Sequence, residues 1–190
     1  ICVATVLLDS GIIPMSEPVT EMVLEAPGGL VRVRAQFKNG KAESITVQNL
    51  PSFVGQTGVL LSVPGLGEIR VDTAYGGDTF VIVDAEAQQL AELGVKITDA
   101  ANATLRFEHP ENPEWAHISF CLFAGPLEQD GTSLRAKSAV AIQPGKIDRS
   151  PTGTAVSARM ALFHTKGQMK VGDTFTAHSI IGSTFRGKII

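Results

Sequence analysis

The sequence predicts a mixed α/β protein of the α+β kind, and three observations carry that prediction. Two segments have clear helix signals, an apolar run at the start and a small-residue segment opening near residue 154. Elsewhere apolar and polar residues alternate in short runs, the period of half-buried strands. A helix followed by β-ribbons occurs in both halves, although no repeat shows as sequence identity.

Ile1 to Leu8 reads as a helix, closed by Asp9-Ser10-Gly11 with Gly11 as its stop. Pro14 and Pro18 mark a loop, and Val19 to Ala26 reads as a strand. After the turn Pro27-Gly28-Gly29, the run Leu30 to Phe37 sets Val31, Val33, Ala35 and Phe37 against Arg32, Arg34 and Gln36. Lys38-Asn39-Gly40 predicts a hairpin, because Asn-Gly accepts positive φ, and Ala42 to Asn49 returns as its second arm. The zone from Pro51 to Gly67, rich in Gly, Ser and Pro, reads as linker-like. Glu68 to Asp72 and Thr79 to Val83 read as strands around a Gly76-Gly77 turn, and Ala85 to Leu93 as a helix stopped by Gly94. Thr104 to His109 gives a weaker strand signal than His117 to Phe123 or Leu134 to Ile142. Thr154 to Lys166 is the second clear helix, with Val156, Met160 and Phe163 on one side and Gly167 at its end. Thr174 to Ile181 and Phe185 to Ile190 read as strands.

The chain of 190 residues is long enough for one large or two small domains with real cores. At 44% hydrophobic and 18% charged it has a globular composition, and a net charge of −3 favours neither nucleic acid nor a membrane surface. Apolar runs are short and broken by Gly, Pro or charge, so no transmembrane helix is expected. Two cysteines, Cys2 and Cys121, make no disulfide framework. Free thiols and no secretory pattern at the start together imply the cytoplasm. His109, His164 and His178 have no paired ligand spacing with each other or with Cys, so no metal is expected. Gly76-Gly77 fits no phosphate loop or dinucleotide fingerprint, so no nucleotide is expected either.

Chemistry concentrates at Ile147-Asp148-Arg149-Ser150-Pro151-Thr152-Gly153-Thr154-Ala155. A strand ends there in a polar turn that opens the second helix. N–H groups at a helix start lack intrahelical partners and face an anion. Gly153 has no Cβ to hold a ligand away, and Asp148 is a carboxylate placed to face an ammonium. The pattern suits a ligand with both a carboxylate and an amine, such as an amino acid. The competing readings are a turn aspartate at Asp148 and a capping threonine at Thr152.

These residues resemble the signature of the proline racemase family, whose members include proline racemases, hydroxyproline epimerases and trans-3-hydroxy-L-proline dehydratases. Ala74-Tyr75-Gly76-Gly77-Asp78-Thr79-Phe80, Ser179-Ile180-Ile181-Gly182-Ser183 and Asn49-Leu50-Pro51-Ser52-Phe53 agree with it. In the racemases and epimerases the position of Thr152 is a catalytic cysteine, in Asp-Arg-Ser-Pro-Cys-Gly-Thr. Threonine there resembles the dehydratase branch. The resemblance implies two similar domains of the diaminopimelate epimerase-like type, each a curved, mostly antiparallel sheet around a central helix. It also implies an active site between them, with one catalytic residue at each helix start. Residues 1–58 are then expected to be part of the first domain and 59–190 the second, incomplete at its C-terminal end. A start at Ile1 inside a helix pattern and a stop at Ile190 inside a strand pattern suggest a piece of a longer protein. The family's Met-Cys-Gly-His motif is expected just before Ile1, and the isolated piece is expected to be inactive.

The resemblance assigns substrate binding to Asp148, Gly153, Thr154 and His117, and the second catalytic position to Thr152. Apart from it, His117 reads as a strand-edge histidine and Arg149 as a partner for nearby carboxylates. Cys2 and Cys121, in apolar surroundings, read as small hydrophobes rather than nucleophiles. A thiol with a pKa of about 8.5 can exchange a proton near neutral pH, and a helix start lowers it further. A threonine hydroxyl is far less acidic. With an acid/base group on only one face of Cα, a β-hydroxyl leaves instead of a proton returning. The expected activity is therefore cofactor-independent dehydration of trans-3-hydroxy-L-proline to a pyrroline carboxylate. Epimerisation of 4-hydroxyproline or racemisation of proline is the alternative, and an amino-acid-binding homologue without chemistry is the rival of another class. The expected partner is the small-molecule substrate; a homodimer is left open.

Overall fold

The computed structural model describes residues 1–84, 90–130 and 133–190, in two compact units, Ile1–Leu50 and Pro51–Ile190. The first unit holds helix α1 (Cys2–Asp9) and strands β1 (Val19–Ala26), β2 (Gly29–Lys38) and β3 (Lys41–Gln48). The strands form an antiparallel sheet in the order β1-β2-β3. Asn39 and Gly40 join β2 to β3 with φ of 55° and 70°, the left-handed pair that a two-residue hairpin needs. Leu8, Ala35 and Phe37 form the core of this unit, because alternate residues of β2 face one side. Cys2 is exposed at the start of α1. The apolar neighbours that suggested burial stand exposed too, Val3 and Val6 among them, because α1 buries only Ala4 and Leu8.

The second unit contains β4 (Phe53–Val63), β5 (Gly67–Tyr75), β6 (Thr79–Asp84), α2 (Leu90–Thr104), β7 (Phe120–Ala124), β8 (Glu128–Asp130), β9 (Ser133–Ile142), β10 (Lys146–Ile147), α3 (Gly153–Thr165), β11 (Thr174–His178) and β12 (Thr184–Lys188). Its sheet runs β12-β11-β9-β7-β6-β5-β4, with β8 and β10 attached to β9. The pairs β6–β7 and β9–β11 are parallel and the others antiparallel. Strands buried on both faces explain the continuous apolar runs in β6 and β7. Val81, Val83, Cys121 and Phe123 face α2, while Phe80, Ile82, Leu122 and Val140 face α3. Helix α3 contacts both β4 and β12, the two ends of the sheet, so the sheet curls around it. Ala155, Ala158 and Leu162 pack on one part of the curl, and Val156, Met160 and Phe163 on another. The helix is thus buried on two sides, where the apolar pattern suggested one.

Four sequence expectations change. Most of the stretch read as a linker, Pro51 to Gly67, is strand β4, paired with β5. Its glycines serve irregularities in the ladder: the register shifts between Val54 and Gln56 and between Gln56 and Val59. Gly94 does not stop α2, since the helix runs on to Thr104. A Cβ there would stand 2.2 Å from the Ala141 Cβ, so this glycine serves close helix–sheet packing. The predicted start of that helix, residues 85–89, lies outside the described residues. Thr104 to His109 forms no named strand, because α2 takes its first residue and the rest follows as a loop with one isolated bridge, His109 to Asn112. His117 lies before β7 rather than in it, because Asn102 on α2 pins the neighbouring Ile118 by two hydrogen bonds of 2.8 Å.

Arg159 fixes the middle of α3. It is 3% exposed; Nη1 donates to the Lys137 carbonyl and Ser138 Oγ, both at 2.9 Å, and Nη2 to the Gly125 carbonyl. Its guanidinium stands 5.2 Å from the Phe163 ring centre and 5.6 Å from that of Phe175. Burial lowers its pKa to about 10, against the opposing pull of Asp84. Arg159→Met is expected to leave the Gly125 carbonyl and the Ser138 hydroxyl unsatisfied and to cost about 2–3 kcal/mol, read as a lower urea midpoint with unchanged slope. An unchanged midpoint would mean that these acceptors find other partners.

Candidate active site at the start of helix α3

The signature turn leaves β10 and enters α3. Asp148 N donates to the Val140 carbonyl at 2.9 Å, which extends the β9–β10 pairing by one residue. The Asp148 carboxylate then accepts three hydrogen bonds from its own loop. Oδ1 receives Ser150 N at 2.8 Å; Oδ2 receives Ser150 Oγ at 3.0 Å and Thr152 Oγ1 at 2.5 Å. Ser150 Oγ in turn accepts Thr152 N at 3.1 Å. Asp148 is therefore a turn aspartate, half-buried. A carboxylate offers about four lone-pair positions, so one on Oδ1 stays open.

Thr152 occupies the N-cap position of α3 but does not cap it through its side chain. Its backbone sits at φ 56° and ψ 98°, and its hydroxyl turns back to Asp148. A β-branched residue at positive φ is a strained outlier, and such outliers cluster at functional sites. The first helical bond runs from Val156 N to the Thr152 carbonyl at 2.9 Å. The N–H groups of Gly153, Thr154 and Ala155 precede that bond and have no intrahelical acceptor. Gly153 is exposed and Thr154 half-buried, and a Cβ on Gly153 would meet nothing nearer than Phe185 at 3.9 Å, so a ligand can approach the first of these amides, while Ala155 is buried. Partial positive charge at the helix start favours an anion.

The turn between β5 and β6 holds this helix start in place. Gly76 N donates to the Asp78 carbonyl at 2.9 Å, and Gly77 takes φ of 94°. A Cβ on Gly76 would lie 2.2 Å from the Thr154 oxygen, 2.3 Å from Ala158 N and 2.9 Å from the Ser157 Cβ. The turn rests directly on the first turns of α3. Beside it, Trp115 Nε1 donates to Thr79 Oγ1 at 2.9 Å, and His117 stacks on Trp115 with ring centres 5.8 Å apart and 1° between planes. Tyr75 lies edge-on to Trp115 and His109. Burial, then the charge of Asp78, raises the Tyr75 pKa.

The structure thus bonds Asp148 and Thr152 directly and sets Gly153 and Thr154 next to them. His117 reaches this end of the sheet through Trp115, Thr79 and the Gly76 turn, without a hydrogen bond to the signature. Arg149 is exposed and makes no ion pair among the described residues. Cys121 is buried in β7, and burial raises its pKa. Two clefts of about 500 and 530 Å³ lie elsewhere, beside the far end of α3 and the outer strands; both include Asp72, Asp84 and Lys166. Chemistry, rather than cavity volume, marks the helix start. Sequence reading missed Ser150, and its place two residues from both Asp148 and Thr152 was the available signal. Among the described residues no group of three or more His, Cys, Asp or Glu is arranged to hold a metal, and no helix is long and apolar enough to cross a membrane. Gly76→Ala is expected to displace the start of α3 and to cost about 1–3 kcal/mol by overpacking, seen as a lower melting temperature. A wild-type melting temperature would mean that the turn moves away freely.

The chain aligns with two crystal structures over 98% of its length. One is a hydroxyproline epimerase from Agrobacterium vitis with bound trans-4-hydroxy-L-proline, at 36% identity and a TM-score of 0.87. The other is a probable proline racemase from Agrobacterium radiobacter with bound carbonate, at 37% identity and a TM-score of 0.88. It spans 55% and 56% of those chains, about half their length. A methylitaconate Δ-isomerase shares the fold, at 12% identity and a TM-score of 0.51 over 98% of this chain and 63% of that one. The family profile described as proline racemase matches residues 1–190, and the chain belongs to the proline racemase family.

Proposed function

We propose that this chain carries the Thr152 half of the active site of a cofactor-independent trans-3-hydroxy-L-proline dehydratase. The observation that carries the reading is threonine at the position where the racemases and epimerases have cysteine, with its hydroxyl committed to Asp148. In this reading the substrate carboxylate sits on the amides of Gly153 and Thr154. The same donors stabilise the enediolate that forms as the Cα proton leaves. The substrate ammonium takes the open lone pair of Asp148, and His117 forms a further wall. The cysteine of the family's Met-Cys-Gly-His motif, which this sequence does not contain, removes the Cα proton. The electron pair left on Cα forms a Cα–Cβ double bond as the C3–O bond breaks. The hydroxide takes up one proton, the equivalent of the one removed from Cα, and leaves as water, and the enamine tautomerises to the pyrroline carboxylate.

Epimerisation of hydroxyproline is the second reading. It draws support from the two structures at 36% and 37% identity, named as a hydroxyproline epimerase and a probable proline racemase. Incubating the full-length protein with trans-3-hydroxy-L-proline, trans-4-hydroxy-L-proline and L-proline separates the two. Pyrroline formation from the first, with little change in optical rotation of the others, is the expected result. Rapid epimerisation of 4-hydroxyproline with 3-hydroxyproline left intact would give the assignment to the second reading. Asp148→Asn is expected to raise KM about tenfold or more, the worth of one charge-assisted bond. Unchanged kinetics would return Asp148 to a purely local role.

A further inference from the structure

We infer that Ser150 is a positioning residue for Thr152, setting which way the Thr152 hydroxyl points its single proton. The inference rests on the reading of Thr152 as a group that faces substrate. The Ser150 side chain makes two bonds at once: its oxygen accepts the Thr152 N–H at 3.1 Å, and its proton goes to Asp148 Oδ2 at 3.0 Å. Its backbone N–H holds the other carboxylate oxygen at 2.8 Å. The first bond holds the Thr152 amide while its backbone stays at φ 56°. The second and third fix the Asp148 carboxylate where Thr152 Oγ1 meets it at 2.5 Å.

A hydroxyl has one proton and two lone pairs. Thr152 gives that proton to Asp148, so the oxygen presents only lone pairs to anything else. It is an acceptor toward a ligand, suited to a hydroxyl or ammonium that donates. The Thr152 amide is already taken by Ser150, which leaves the ligand's carboxylate to the amides that follow. Ser150 thereby divides the loop into a part that accepts and a part that donates. Without the Ser150 hydroxyl, the Thr152 amide loses its tether and the Asp148 carboxylate keeps, of its bonds from Ser150, only the backbone N–H bond at Oδ1.

Wild type is compared with Ser150→Ala, Ser150→Thr, Thr152→Val and the double variant Ser150→Ala/Thr152→Val. The first readout is amide hydrogen exchange at Thr152, which needs no turnover. Exchange at least tenfold faster in Ser150→Ala, with protection recovered in Ser150→Thr, is the expected result. The second readout is turnover of whichever substrate the protein converts, with the product identified. Ser150→Ala is expected to lower kcat at least tenfold while KM moves less than threefold. In the Thr152→Val background the same change is expected to lower kcat by less than a further twofold, because the effect of Ser150 on kcat runs through the hydroxyl that is then gone. Unchanged exchange, or effects of the two substitutions that simply multiply, would overturn the proposal. Failure of the dehydratase reading shows separately, in the identity of the product. Melting temperatures of all variants separate a positioning effect from a failure to fold.

Discussion

The start of α3 depends on a contact that only glycine permits. The β5–β6 turn lies against the Thr154 oxygen and the Ala158 nitrogen at a distance that excludes any Cβ on Gly76. That contact sets where the first turn of the helix stands relative to the sheet, and hence where its unpaired amides point. Two further ties act along the same helix. Arg159 bonds its middle to Gly125 and to β9, and Lys166, just past its end, reaches Asp72 on β5 at 2.7 Å. The Lys166 bridge is partly exposed and contributes little by itself, although a cation there suits the helix C-terminus. A helix held at three places can present its amides in one geometry, which anion binding by a dipole requires.

The same economy operates within the signature loop. Holding Thr152 at positive φ costs about 1–3 kcal/mol. Hydrogen bonds to an ionised carboxylate contribute about 1.5–3 kcal/mol each, and three converge on Asp148 from within five residues. The network therefore offsets the strained backbone locally, without help from distant packing. It also spends most of Asp148's accepting capacity inside the loop, so any outside cation meets a carboxylate whose orientation is already fixed.

Much of this was legible in the sequence. The first hairpin followed from Asn39-Gly40 and alternation, and α3 from its opening residues and Gly167, because these are local signals. What misled was tertiary. Gly55, Gly58 and the flanking prolines punctuate the chain like a linker, yet the glycines serve the bulges of a long paired strand. Gly94 looked like a helix stop, whereas its reason lies across the core at Ala141. His117 sits outside its predicted strand because Asn102, 15 residues earlier in sequence and on a helix, claims the backbone at Ile118. At the site, the residue types and their order were readable. The direction of the Thr152 hydroxyl was not, since it depends on a backbone angle that a β-branched residue rarely takes.

That direction bears on what a threonine can do where relatives carry a thiol. A thiol near a helix start loses its proton readily, because the local dipole favours the thiolate. A hydroxyl gains from the same dipole but begins far less acidic, and here its proton already lies toward a carboxylate. Ionising it would put two negative oxygens 2.5 Å apart, which like-charge repulsion forbids. The Thr152 oxygen can therefore orient and accept, but it cannot act as the second base of a symmetrical exchange at Cα. In the proposed reading, where Thr152 faces the substrate, chemistry that needs an acid or base on both faces would find only a hydrogen-bond acceptor on this one. A reaction in which the carbanion discharges an internal leaving group makes no such demand, and that difference links one side chain to the class of reaction.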